Sequence, residues 1–102
     1  VGLALKGKKP FIYSITSFLL RRPFETISIY INHEQIPVRL VGGGRDKDYE
    51  HDGFSHWSEA TPQILGIFDG IRPMFPNRKE QVPLMVKDMV KFNRPWFISL
   101  KR

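Results

Sequence analysis

Val38-Arg39-Leu40-Val41, followed by Gly42-Gly43-Gly44-Arg45-Asp46-Lys47-Asp48-Tyr49-Glu50-His51-Asp52-Gly53-Phe54-Ser55-His56-Trp57, reads as a short apolar strand running into a polar loop. A polar loop at the carboxyl end of a strand is where open α/β sheets put their ligand sites. The glycines permit backbone geometries that other residues avoid. Asp46, Asp48, Glu50 and Asp52 alternate along the loop, yet they lack the central glycine and closing glutamate of a calcium loop. They are expected to be solvated charge. His51 and His56 each offer an imidazole, a group that can donate or accept protons. By residue types alone, a solvated surface loop is the simpler reading.

On either side of this stretch, strand-like and helix-like segments alternate. Val1–Leu5 resembles the tail of a helix that Gly7 could end. Phe11–Ile15 reads as a buried strand, and Thr16 and Ser17 are placed to cap the helix after it. Leu20, Phe24, Ile27 and Ile31 keep helical spacing, with Pro23 suited to a first turn. Thr26–Ile31 also alternates and is rich in β-branched residues, which would suit a strand. Helix is preferred, because a strand follows directly after Pro37.

Downstream of the loop, Ser58–Phe68 is expected to be a short helix with Pro62 near its first turn. Ile71–Phe75 is a short strand that Pro73 assigns to a sheet edge. Asn77 is expected to cap a helix whose apolar stripe is Val82, Val86, Met89 and Val90. Trp96–Leu100 is the last strand, with Lys101 and Arg102 at its carboxyl end. The alternation predicts a three-layer αβα domain: a mostly parallel sheet covered on both faces.

Composition bounds the functions. The 102 residues suffice for one domain or part of one, and 41% hydrophobic content suits a globular core. The formal charge of +6 admits phosphorylated small molecules as partners. The basic residues are scattered without an aromatic-laced stripe, so no nucleic-acid partner is expected. No apolar run approaches the ~20 residues of a membrane span, so no membrane partner is expected either. Cysteine is absent, which removes disulfides and thiolate chemistry. The expected location is the cytoplasm or an organelle interior.

Four stretches in order carry a resemblance: Gly2–Phe11, Ser14–Ile27, Asp52-Gly53-Phe54-Ser55-His56, and Arg94–Arg102. Together they resemble the pyrimidine-binding domain of transketolase-like thiamine diphosphate enzymes. Asp52–His56 looks like the family's Asp-Gly-x-Thr-His, and Arg94–Arg102 looks like its last strand, closing on arginine. The resemblance implies a homo- or hetero-dimer with thiamine diphosphate held between this domain and a diphosphate-binding domain of another subunit. It implies transfer of a two-carbon unit, or decarboxylation of a 2-oxo acid, acting on a small phosphorylated or 2-oxo substrate. The family glutamate that bonds the aminopyrimidine would lie just before Val1, and Mg2+ would be bound by a domain absent from residues 1–102. The chain is thus expected to be an N-terminally incomplete domain, inactive alone.

Carried over by position, Phe18 matches an aromatic that packs on the aminopyrimidine, where a flat apolar face suits a flat heteroaromatic ring. Its alternative is a core phenylalanine at a helix start. The family often carries further aromatics where this chain has Ile15 and Arg21. His56 matches a histidine that contacts substrate and exchanges charge near the reacting carbonyl. Asp52 matches an aspartate of the substrate channel, or is simply a turn residue of Asp-Gly. Arg102 matches an arginine that binds substrate phosphate, as a guanidinium can, or is a frayed terminal residue. Two other readings are a non-catalytic interaction domain that keeps the fold, and a relative of 2-oxo acid dehydrogenase β-subunits.

Overall fold

Phe11–Ile15 (β1), Arg39–Gly43 (β2), Arg72–Met74 (β3) and Trp96–Leu100 (β4) pair side by side in the order β1-β2-β4-β3, every pair parallel. The computed structural model describes all residues, 1–102. The short helix Gly2–Leu5 (α1) precedes the sheet. Thr16–Arg21 (α2) and Phe24–Thr26 (α3), which runs on into a π-helical segment Ile27–His33, connect β1 to β2. Thr61–Ile67 (α4) lies between β2 and β3, and Gln81–Lys91 (α5) between β3 and β4. The α/β expectation with a parallel sheet holds.

The strand period of two sorts the core into two faces. On one face Leu40 and Phe97 pack with Leu19 and Leu20 of α2, Ile27 and Ile31 of the π segment, and Leu65. On the other, Trp96 and Ile98 pack with Met89 of α5, joined by half-buried Val41, Val82 and Val86. The sheet is therefore covered on both faces, but unevenly, since only α5 covers the second.

That unevenness corrects the reading of β1. Phe11–Ile15 is a strand but not a buried one: it is the sheet edge, and Phe11, Ile12 and Tyr13 are 42%, 40% and 65% exposed. Sequence could not separate an apolar edge from an apolar centre, because both read as a run of large residues. The helical reading of 26–31 holds in place of the strand. The winding is wider than expected, with the Glu34 amide donating to the Ile29 carbonyl five residues back. Ser28 Oγ donates to the Phe24 carbonyl, in competition with the backbone ladder.

Three capping and stripe assignments also change. Thr16 and Ser17 are the first helical residues of α2, and their hydroxyls donate to other loops rather than to the helix. Asn77 does not cap α5. Gln81 Oε1 accepts from the Asn77 and Arg78 amides instead, at 2.8 and 3.1 Å. Val90 is exposed, while Met89 carries the stripe.

Arg39, inside an otherwise apolar strand, is fully buried. Its guanidinium donates to the carbonyls of Met89, Pro37 and Phe92 and to Asn93 Oδ1. It thereby serves two carbonyls at the end of α5, where Lys9 Nζ takes the Val90 carbonyl and Trp96 Nε1 shares that of Phe92. Burial pushes its pKa below the ordinary value.

Candidate functional site

The loop after β2 is fastened to the start of α2 by short polar residues. Thr16 Oγ1 donates to the Gly44 carbonyl at 2.7 Å and to the Gly43 carbonyl at 3.2 Å. This contact needs Gly42 beneath it: a Cβ there would stand 2.5 Å from Thr16 Oγ1 and 2.8 Å from the Phe97 ring. Gly44 then turns the chain at φ 86°, a left-handed conformation that favours glycine. The loop closes where the Ser58 amide donates to the Asp46 carbonyl at 2.8 Å.

Within the loop, two 3-10 turns, Glu50–Asp52 and Phe54–His56, present the side chains. Ser17 Oγ donates to the Ser55 carbonyl at 2.8 Å, which holds the second turn against α2. As a result the His56 ring meets the Phe18 ring edge-on, with centroids 4.7 Å apart and planes at 69°. Both residues are half-buried. Tyr49 lies 6.4 Å from His56, and the Arg22 guanidinium sits 4.4 Å over Phe18. His56 Nδ1 is 3.0 Å from Ser55 Oγ. If the serine donates, the imidazole proton sits on Nε2; if the imidazole donates, Nε2 is an acceptor. Either way one ring nitrogen has a partner and the other is left for a further proton donor or acceptor.

The sequence-derived residues are thus not all brought together. Phe18 and His56 touch. Asp52 is exposed on the first turn, its amide donating to the Tyr49 carbonyl. Arg102 is exposed but not frayed: its guanidinium lies 5.0 Å over the Tyr49 ring, and its amide donates to Asp48 Oδ2 at 2.9 Å. The Arg21 guanidinium lies 5.5 Å over the Phe54 ring.

Asp48 is the principal correction to the loop's chemistry. Beyond solvated charge, its Oδ2 also accepts from the Arg45 amide at 2.9 Å. The Arg102 amide is the largest influence and holds its carboxyl below the ordinary value; burial opposes it, and the amide and charge of Arg45 and the charge of Lys101 add to the lowering. Arg45 was equally silent in the sequence. Its side chain donates to Ser99 Oγ and to the carbonyls of Ser99 and Pro76. These partners stand 31 and 54 positions away, so no local pattern announces them.

No family model matches the chain. It is 27% identical over 101 residues to the B subunit of an apulose-4-phosphate transketolase from Phocaeicola vulgatus, covering 99% of this chain and 32% of that one. It is 27% identical over 101 residues to the SqwH subunit of a 6-deoxy-6-sulfo-D-fructose transketolase from a Clostridium species, covering 99% and 31%. A 33.6 kDa protein in the fasciation locus of Rhodococcoides fascians is 30% identical over 82 residues, which is 80% of this chain and 24% of that one. The chain therefore spans about a quarter to a third of the length of the curated relatives it matches. Among solved structures, a split-gene transketolase in the form of an inactive beta4 tetramer superposes with a TM-score of 0.85 at 23% identity, over 99% of this chain and 31% of that one. The resemblance to transketolase-like enzymes drawn from the motifs is thus matched over nearly the whole chain, which is similar in sequence to part of two transketolase subunits and in fold to part of a split transketolase.

Proposed function

We propose that residues 1–102 belong to the pyrimidine-binding domain of a transketolase-like enzyme that transfers two-carbon units. The observation that carries this reading is the Phe18–His56 edge contact beside the carboxyl ends of β1 and β2, in a chain similar to transketolase subunits over 99% of its length. The residues present suit thiamine diphosphate. Phe18 is a half-buried ring at a helix start, and a flat apolar face can pack against an aminopyrimidine. When bound, that cofactor supplies the nucleophilic carbon that takes up the two-carbon unit. This chain's residues do the rest of their share. Phe18 orients the pyrimidine and helps exclude water. His56, with one nitrogen engaged by Ser55, donates to or accepts a proton from the substrate oxygen. Asp52 accepts bonds from substrate hydroxyls, and Arg102 pairs with a substrate phosphate.

The diphosphate and its Mg2+ fall to a partner domain or subunit, in a homo- or hetero-dimer, and a cytoplasmic location goes with this reading. That the solved split-gene transketolase is an inactive beta4 tetramer supports the view that such a chain does not act alone. In the assembled enzyme, Phe18→Ala should weaken cofactor binding by roughly 1–3 kcal/mol. His56→Ala should lower turnover on the order of 10²-fold with cofactor affinity nearly intact. Steady-state kinetics beside a cofactor titration separates the two. Turnover within about threefold of wild type in His56→Ala would remove histidine from the chemistry.

A further inference from the structure

A cavity of about 420 Å³ opens where β4 ends and α5 begins. Its charged lining is Arg78, Lys79 and Lys101, its apolar walls include Val82, Pro83 and Leu100, and no acidic residue lines it. Glu80, between Lys79 and Gln81, is exposed and outside the lining. The volume falls in the range of small-molecule sites. The location follows from topology. The chain leaves β2 into α4, over the face shared with α2, and leaves β3 into α5, over the opposite face. β4 lies between β2 and β3, and the cavity stands at the carboxyl ends of β3 and β4, the side of the sheet on which open α/β folds take ligands.

The rim is held in place from two sides. Arg45 reaches from the β2 loop to the Pro76 carbonyl at 2.9 Å and to Asn77 Oδ1 at 3.5 Å, and both residues line the cavity. Gln81 Oε1 already takes the Asn77 and Arg78 amides. Recognition there falls to the side-chain cations. Lys101 lines this cavity, whereas its neighbour Arg102 lies over Tyr49.

We propose that this cavity is a binding site for the phosphate of a small phosphorylated molecule, separate from the Phe18–His56 pair. A phosphate monoester carries close to two negative charges at neutral pH and three acceptor oxygens, which matches a lining with three cations and no acid better than a single carboxylate does. The apolar walls leave room for a short carbon skeleton. This goes beyond the proposed function, because it holds whether or not the chain takes part in thiamine diphosphate chemistry.

The test is calorimetric titration of the intact protein, without cofactor, at low and moderate salt, with inorganic phosphate, glycerol phosphate and uncharged glycerol as probes. Both phosphates should bind and glycerol should not, with affinity falling as salt rises. Arg78→Glu and Lys79→Glu should each cost at least about tenfold in affinity for glycerol phosphate, the effect of reversing one charge-assisted contact. His56→Ala should leave it unchanged. Both charge reversals lie on an exposed loop, and a thermal melt checks that each variant is folded. Three results overturn the proposal: no phosphate binding by the wild type, binding that survives the double reversal, or binding lost in His56→Ala but kept in Arg78→Glu.

Discussion

Asp48 shows how one side chain on a polar loop organises distant chain. Its carboxylate takes the amides of Arg45, three positions away, and Arg102, 54 positions away, on one oxygen. Its folded pKa lies below the ordinary value of 3.8, so the folded state binds its proton less readily than the unfolded state does. The stability it contributes is then present above pH 3.8 and is lost as pH falls through the folded value. Asp48→Asn should accordingly lower the melting temperature at neutral pH, and the gap to wild type should close in acid. A gap that stays constant down to the acid limit would show that the amide serves as well as the carboxylate. His56, by contrast, is held mainly by its turn and by Ser55, so its replacement should be read in turnover rather than in melting.

Among the elements, two contacts fix where the site stands. Thr16 on α2 sits on Gly42 of β2 with no space for a methyl group. Gly42→Ala should therefore push α2 and its Phe18 away from the loop and destabilise the protein by about 1–3 kcal/mol, the usual cost of overpacking. Chemical denaturation measures it, and a loss below about 0.5 kcal/mol would mean that α2 yields without strain. The second contact is Arg39, whose guanidinium joins β2 to the end of α5 through the Met89 and Phe92 carbonyls. Arg39→Met keeps the bulk but takes the guanidinium donor from the Met89 carbonyl, while the Phe92 carbonyl keeps Trp96 Nε1 and the Arg94 amide, at an expected cost of about 1–3 kcal/mol. If the urea midpoint barely moves, water has replaced the guanidinium.

Taken as a whole, the molecule presents a sheet covered unevenly and an edge strand with its large side chains partly exposed. A Phe18–His56 pair with no diphosphate-binding region among residues 1–102 makes half of a cofactor site under the proposed reading. The isolated chain should then bind thiamine diphosphate weakly or not at all, even with magnesium present. Calorimetry on the isolated chain decides this, and micromolar affinity would show that the site is self-sufficient. No helix of the structure is long and apolar enough to cross a membrane.

The order and type of most elements were legible in the residues before any fold was known. Apolar periodicity, Pro62 near a helix start, Pro73 at an edge and the strand before the glycines are local signals, and local sterics enforce them. The motif resemblance also placed Phe18 and His56 in one candidate site. Which apolar strand was central and which was an edge had to wait for the folded chain, because β1 and β4 read alike until β4 is inserted between β2 and β3. Folding likewise turned Thr16 and Ser17 from helix caps into loop fasteners, since their acceptors at Gly44 and Ser55 lie 28 and 38 positions away. The same holds for Arg39, Arg45 and Asp48. A charged residue reads as solvated until the folded chain surrounds it with hydrogen-bonding partners, and those partners come from segments that no sequence window spans.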